Sequence, residues 1–352
     1  MLVVHKKPNK MSPFKTDETR ILILKPSALG DIVHTLPLLV SLKKSFPSRY
    51  IAWAVKEKFA DLLWKNPYLD EAIIWKERGF WRLVKDIRDR KFNVVLDLQG
   101  LFRTGLVAYL SKAPQRWGFL KEETKEKQLF FLNIRVPTPS ENIVEKYLDF
   151  AEHLQADRIV EFPLVEREPA KEHISQYFQR LDISPSEKII ALIQGTGWEN
   201  KTWKAERFAQ LGRLIDSKKS WKVMLIWGIG EAEKEKAYKI NKMAAGRLLV
   251  APATTIAQLV SLLKRCSMAI GGDTGPLHLA AALGLPVVGL YGPTPPSRNG
   301  PFTDKKEIIY HPPSTCSPCW KRTCNNKNNN CMDSIQVEEV MQKIENLEAK
   351  FF

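Results

Sequence analysis

Met268–Pro293, MAIGGDTGPLHLAAALGLPVVGLYGP, leaves the chain little choice of fold. Met268–Ile270 reads as a short apolar strand. Gly271-Gly272-Asp273-Thr274-Gly275 reads as a tight loop, because glycine adopts backbone angles that other residues resist. Pro276 suits the first turn of a helix, where its missing N–H costs nothing. Leu277–Leu283 is then a short apolar helix, stopped by Gly284 and Pro286. The strand that follows, Pro286–Tyr291, shows no polar alternation and belongs inside a parallel sheet. The N–H groups at a helix start are unpaired, and glycines beside them let a phosphate approach the backbone. Thr274 adds a hydroxyl, Asp273 either accepts from a sugar hydroxyl or braces the loop, and His278 follows about one turn later. Taken alone, an ordinary tight turn of an α/β domain explains the stretch as well.

The same alternation runs through the whole chain. Strands are expected at 20–25, 50–55, 72–75 and 93–98. Helices are expected at Ile32–Phe46, Lys58–Lys65, Phe80–Arg90 and Asn142–Leu154. This is a doubly wound α/β pattern. A second series follows, with helices at Ala170–Leu181, Ala205–Asp216, Glu231–Ala245 and Thr255–Leu263 and strands at 188–194 and 222–227. A chain of 352 residues is more than one core usually holds. The expected division is a disordered leader at 1–19, a first domain at 20–156, a linker at 157–169 and a second domain at 170–332. A terminal helix at 333–352 completes it and is able to pack back across the domain junction. No internal repeat in the sequence supports duplication.

The net charge of +15, from 54 Lys and Arg against 39 Asp and Glu, calls for an anionic partner. Nucleic acid, an acidic membrane or a phosphorylated substrate would each serve. Lys76–Lys91 concentrates basic residues around Phe80 and Trp81, either as a solvated helix face or as a surface for anionic lipid or phosphate. No uninterrupted apolar run reaches 18 residues. The first twenty residues carry Lys6, Lys7, Lys10 and Lys15 but no apolar signal core, and Met11 offers a second start. Cytoplasmic residence is the expectation.

Asp31 and Arg103 follow strands, at the edge where open α/β sheets bind ligands. Asp31 either caps its helix or faces a ligand. Arg103, in DLQGLFR, either holds an anion or lies at the surface. Gln194–Lys201, QGTGWENK, also follows a strand; it lacks the third glycine of a dinucleotide fingerprint. Thr196 and Lys201 there suit a phosphate, since an ammonium neutralises a leaving diphosphate. Cys316, Cys319, Cys324 and Cys331 make a C-x2-C-x4-C-x6-C segment, a candidate structural site for zinc or another metal, a disulfide loop or a set of free thiols. Cys266 reads as core.

Four motifs together resemble one family, the bacterial lipopolysaccharide heptosyltransferases of glycosyltransferase family 9. They are ILILKPSALGDIVHTLPLL, DLQGLFR, GTGWENKTW and GGDTGPLHLAAALGLPVVGLYGPT, in order, over roughly Ile21–Gly292. The first two are most similar to the type I members. The resemblance implies a GT-B fold, two Rossmann-like domains facing across a cleft, with the acceptor on the first and an ADP-sugar on the second. It implies Asp31 as general base, and Thr196, Gly197, Lys201, Asp273, Thr274, Gly275 and His278 at the donor. A family glutamate near the nucleoside falls on Glu233, with Glu231 as the alternative. Gly197 stands where a type I enzyme would carry a second threonine, and the cysteine segment is not part of the type I pattern. The implied activity is inverting transfer of heptose from ADP-heptose to Kdo-lipid A, with no required cofactor. The implied partner surface is the anionic cytoplasmic face of the inner membrane, with no nucleic acid expected. A type II or other family 9 transferase, a sugar-nucleotide epimerase and a basic nucleic-acid-binding protein with a zinc knuckle remain the alternatives.

Overall fold

The computed structural model describes residues 19–123, 128–218, 220–312, 316, 318–324 and 330–352. The leader expected at 1–19 lies outside them, apart from Thr19. The first half contains β1 (Arg20–Leu24), α1 (Leu29–Ser45), β2 (Tyr50–Lys56), β3 (Glu71–Trp75) and α2 (Phe80–Asp89). It continues with β4 (Val94–Asp97), α3 (Phe102–Leu110), β5 (Gln115–Phe119), β6 (Ile134–Val136) and α4 (Ile143–His153). The second half begins with α5 (Glu168–Arg180), β7 (Ile189–Ile193), α6 (Ala205–Lys218), β8 (Lys222–Ile226), α7 (Glu231–Met243), β9 (Leu249–Val250) and α8 (Ile256–Arg265). It ends with β10 (Met268–Gly272), α9 (Gly275–Ala282), β11 (Val287–Tyr291), α10 (Pro296–Asn299), β12 (Lys306–Tyr310) and α11 (Val337–Phe351).

Each half holds one six-stranded parallel sheet, ordered β3-β2-β1-β4-β5-β6 and β12-β11-β10-β7-β8-β9. The two orders are the same doubly wound arrangement. Each sheet therefore reverses direction once, between β1 and β4 and between β7 and β10. A reversal opens a crevice at the carboxyl ends of the strands. The central strands are apolar on both faces, as burial under helices on both sides demands: β1, β7, β10 and β11 are buried almost throughout.

The two halves share one core. Ile32, Leu36 and Leu39 of α1 belong to the same buried cluster as Leu277, Leu279 and Ala280 of α9. The opposite layer of the first sheet is separate, with Leu83, Val84 and Ile87 of α2 packed on Leu22, Leu24 and Ala54 together with Val107 of α3. The connecting segment is pinned to α1, where the Ser41 hydroxyl accepts from Ile159 N at 2.9 Å and the Ser45 hydroxyl from Asp157 N at 2.8 Å. Helix α11 buries Val340, Met341, Ile344 and Leu347 in the second half's own core, with Trp203 and Phe208 of that half.

Several elements differ from the sequence expectation. The helix expected at Lys58–Lys65 is a 3-10 turn, Glu57–Leu63, burying Phe59, Leu62 and Leu63; side chains three apart line up in that tighter geometry. Strands β6 and β9, three and two residues long, are too short to show a period. Helix α3 contains Gly105 and hides its apolar stripe among Arg103 and Thr104. Gly271 and Gly272 end strand β10 rather than forming the loop.

Candidate active site

The C-terminal end of β1 runs directly into the first crevice. Lys25, the next residue, is 3% exposed, and its ammonium donates to Leu98 O at 2.9 Å. It lies 3.6 Å from Asp31 Oδ1 and 5.4 Å from the centre of the Tyr147 ring on α4. Burial works against the Lys25 charge. The Asp31 carboxylate, then Tyr147 and Asp97, outweigh that and raise its pKa above the ordinary lysine value. Asp31 sits in the first turn of α1, and its Oδ2 accepts from the Ala28 N–H at 3.1 Å. It is thus both a helix-start acceptor and a carboxylate that remains 39% exposed, held from behind by a buried cation. Behind it, the fully buried Asp97 accepts from Thr104 Oγ1 and from the N–H groups of Gln99 and Gly100. Burial nevertheless pushes its pKa up to about 6.

The second crevice holds the reverse arrangement. Asp273, after β10, is the buried ion. Its Oδ2 accepts from Lys201 Nζ at 2.5 Å, Thr294 Oγ1 at 2.8 Å and Asn299 Nδ2 at 3.1 Å. Its Oδ1 bonds His278 Nε2 at 3.0 Å. Burial alone would raise its pKa; the bond from His278 and the Lys201 charge overcome that and hold the carboxyl well below the usual range. An ionised carboxylate only accepts, so His278 Nε2 carries the proton and Nδ1 is the free face. That Nδ1 is buried with no partner among the described residues, as is Thr274 Oγ1. Lys201 also lies over the Trp198 ring at 4.4 Å.

The glycines here serve close approach. Gly271, Gly272 and Gly275 take no left-handed angle. A Cβ at Gly271 would lie 2.9 Å from the Ile193 side chain, and one at Gly272 2.9 Å from Lys201 O. At Gly275 it would meet Leu29 at 2.7 Å, and at Gly30 it would meet His278 at 3.1 Å. The starts of α1 and α9 therefore abut, which brings Asp31 on one half beside the Thr274–His278 turn of the other. The buried His34 of α1 meets His278 edge-on, ring centres 4.3 Å apart. Burial, then the neighbouring His278, depresses the His34 pKa well below its ordinary value.

Thr196 and Gly197 follow β7. The Thr196 hydroxyl is engaged within its own loop, donating to Trp198 O and lying 3.1 Å from Thr202 Oγ1, while a Cβ at Gly197 would meet nothing. Glu233, in the first turn of α7, folds back over Gly195 and Gly228. A Cβ at Gly195 would lie 2.8 Å from Glu233 Oε2, a buried oxygen without a partner among the described residues. Glu231 instead pairs with Lys234 at 2.8 Å in solvent. Of the two glutamates, Glu233 is the one with an acceptor directed at the loops of the crevice.

Arg103, in the first turn of α3, lies over the Trp75 and Phe80 rings at 5.0 and 5.7 Å. The cysteine segment braces the donor-side loop from behind. Asn200 Nδ2 donates to Cys319 Sγ at 3.6 Å and to Lys321 O at 3.2 Å, and Asn200 N donates to Arg322 O at 3.0 Å. Cys331 packs on Gly292, and burial, followed by nearby Cys319 and Cys324, pushes its thiol up to about 11. Among the described residues no group of three or more His, Cys, Asp or Glu could hold a metal ion, so nothing supports zinc or another metal at Cys316, Cys319, Cys324 and Cys331. Cys266 is buried at the end of α8, its thiol at 3.3 Å from Leu262 O. No helix among the described residues is long and apolar enough to cross a membrane.

Sequence reasoning missed Lys25, Tyr147, His34, Thr294 and Asn299. Lys25 offered one signal, a lysine closing an apolar strand just before a Gly-Asp helix start.

Comparison with known proteins adds the family. A family model described as glycosyltransferase family 9 (heptosyltransferase) matches residues 80–330. The chain is 28% identical over 324 residues to lipopolysaccharide heptosyltransferase 1 of Pseudomonas aeruginosa, covering 87% of each. The fold is similar to that of a glycosyl transferase family 9 protein from Veillonella parvula, with a TM-score of 0.80, 21% identity and coverage of 94% and 97%. It is similar also to the Escherichia coli heptosyltransferase WaaC with ADP-2-deoxy-2-fluoro heptose, with a TM-score of 0.70, 21% identity and coverage of 93% and 99%. These neighbours bear out the GT-B expectation.

Proposed function

From the premise that this chain belongs to glycosyltransferase family 9, the heptosyltransferases, we propose that it transfers heptose from ADP-heptose to Kdo-lipid A, with Asp31 as the base. One observation carries the assignment of roles: the abutting starts of α1 and α9, which bring an exposed carboxylate beside a turn with two unpartnered buried donor or acceptor atoms, Thr274 Oγ1 and His278 Nδ1. The Kdo-lipid A acceptor rests on the likeness to the Pseudomonas heptosyltransferase 1 and on the type I motifs. A transferase is preferred to an epimerase because the family is one of transferases.

In this reading an acceptor hydroxyl binds at Asp31. Asp31 takes its proton as the oxygen attacks the anomeric carbon, and ADP leaves from the opposite side, inverting the centre. Positioned proton removal contributes about 10²–10⁴-fold. The diphosphate's growing charge is met by the N–H groups at the start of α9 and by Lys201, whose ammonium keeps donors free beyond its bond to Asp273. A side chain at Gly197 would meet nothing, which leaves its loop open to a ligand, and Glu233 supplies an acceptor for a nucleoside hydroxyl.

The test is ADP release from ADP-heptose, with and without Kdo-lipid A, for the native chain and Asp31→Asn. Acceptor-dependent release that the variant loses, while it still binds ADP-heptose and melts normally, supports the proposal. Release only with an acceptor already bearing a heptose moves the chain to a type II acceptor. Silence with both acceptors overturns the assignment.

A further inference from the structure

The outer layer of the first sheet carries an exposed aromatic face. Trp81 at the start of α2 is 72% exposed, and Phe130, in the 3-10 turn Gln128–Phe131, is 80% exposed. Tyr109 is 53% and Phe102 49% exposed, both on α3. These are parts of one patch. Phe131 meets Phe102 and Tyr109 with ring centres 5.1 and 5.9 Å apart, Phe80 meets Trp81 at 5.2 Å, and Arg103 bridges α3 to Phe80 at 5.7 Å. Exposed aromatic rings gathered in this way have no folding role and mark an interaction site. The surrounding charge is basic: Lys76, Arg78, Arg82, Lys85, Arg88 and Arg103 are all exposed. Against them stand Glu77, the half-buried Asp86, Asp89, which is paired with Lys85 at 2.6 Å, and Glu57, which is paired with Lys76 at 3.8 Å.

We propose that this aromatic and basic face of α2, α3 and the 128–131 turn docks the enzyme on an anionic lipid bilayer. Aromatic rings settle at the headgroup level of a membrane, and basic side chains around them are drawn to acidic lipid. A protein partner of opposite charge would meet the same basic residues, but a group of exposed aromatics spread over two helices and a turn suits a soft apolar layer better than a fixed surface. The placement also fits. The starts of α2 and α3 follow β3 and β4, so Trp81 and Phe102 stand at the carboxyl edge of the sheet, the edge that bears Asp31. Gln99, three residues before Phe102, accepts from Ser27 N at 3.3 Å in the loop that leads to Asp31. A chain docked here holds its cleft at the bilayer surface, where a lipid-anchored acceptor reaches the base without leaving the membrane. Only that last step rests on the functional proposal.

The test is co-sedimentation of the full chain with phosphatidylglycerol–phosphatidylcholine vesicles and with pure phosphatidylcholine vesicles, neither containing acceptor. The variants are Trp81→Ser/Phe130→Ser and Arg82→Glu/Arg88→Glu, at side chains too exposed to support the fold; unchanged melting checks this. The native chain is expected to bind the anionic vesicles, to bind them less as salt rises, and to bind neutral ones at least tenfold more weakly. Each double variant is expected to lose tenfold or more. Native-level binding by either variant, or no binding of the native chain to anionic vesicles, overturns the proposal. Loss of self-association by Trp81→Ser/Phe130→Ser, with vesicle binding unchanged, would assign the face to a second copy instead. Vesicle binding by a chain that transfers no heptose would sink the functional reading and leave the docking face standing.

Discussion

The two crevices are built on the same strand order but with opposite polarity. In the first, a buried lysine stands behind an exposed carboxylate: Lys25 is 4% exposed at its side chain and Asp31 39%. In the second, a buried carboxylate stands behind a lysine: the Asp273 side chain is 6% exposed and that of Lys201 12%. Each buried ion is a positioning group, and each partner is turned toward the cleft. In the proposed reaction the difference matches what each side would receive. A neutral hydroxyl that must lose a proton needs a carboxylate, and a departing diphosphate needs a cation. The first pair is loose, at 3.6 Å, while Asp273 is saturated by four side chains. In that proposal the first crevice keeps a carboxylate free to accept a proton, and the second is a rigid cradle.

The comparison breaks most visibly at Asp273. Asp273→Ala would leave Lys201 uncompensated and strip His278, Thr294 and Asn299 of their acceptor, at a cost of about 3–5 kcal/mol in chemical denaturation. A loss below about 1 kcal/mol, with ADP-heptose affinity unchanged, would show that the donor side has no such hub. The matching change on the acceptor side should behave differently. Lys25→Met leaves the half-exposed Asp31 to water, but it orphans Leu98 O and takes a cation from the buried Asp97, at a smaller cost of about 1–3 kcal/mol. Turnover should fall about 10²-fold while ADP-heptose affinity holds, because Asp31 loses the fixed charge behind it. Kinetics and melting of this one variant separate the two roles; a chain that melts far lower with kcat unchanged would make Lys25 a plain structural ion.

The working ends of both pairs were legible in the sequence, and the buried ions were legible on one side only. Asp31, Lys201 and the Asp273–His278 turn each lie within a few residues of a strand end, so a glycine, a helix start and a charged residue appear together in one short window. For Asp273 the sequence offers bracing of its loop as one of two readings, without the partners. Its partners Thr294 and Asn299 come from beyond β11 and reach it only when the sheet is assembled. Lys25 looks like the polar end of a strand until Leu98 and Tyr147 bury it. Its place after β4 makes Arg103 an anion holder or a surface residue; its contacts with Trp75 and Phe80, distant in sequence, are what the sequence hides. The alternation of elements fixed both sheets well, apart from the shortest strands, because apolar period carries no signal over two or three residues.

Asp97 sharpens the comparison on the acceptor side. Its pKa lies at about 6, against 3.8 in an unfolded chain, because burial opposes its charge more than Thr104, two backbone N–H groups and Lys25 favour it. The native protein therefore holds a proton there that the unfolded chain has released, and stability contributed by this group falls as pH rises from about 4 to 6. Asp97→Asn keeps a carbonyl for the Gln99 and Gly100 N–H groups and has nothing to titrate. The variant should gain on the native chain across that window, by at most about 3 kcal/mol, in denaturant melts at matched pH. A constant gap from pH 4 to 6 would mean that Lys25 already compensates the buried charge in full.

The smallest effect is expected where the two crevices touch. Burial, then His278 beside it, depresses the His34 pKa, with Asp273 favouring the charge and Lys25 and Arg298 opposing it. His34 therefore stays neutral in the folded chain, while the unfolded chain takes up a proton as pH falls through 6.5. Stability from this residue is present above that pH and lost below it, by at most about 2 kcal/mol at pH 5. His34→Phe keeps an aromatic ring against His278 and removes the titration. Its melting temperature should fall less than that of the native chain between pH 7 and 5. Parallel curves would place the acid sensitivity of the junction elsewhere, and would leave the contact between α1 and α9 resting on its shared apolar core and the Gly30–Gly275 approach alone.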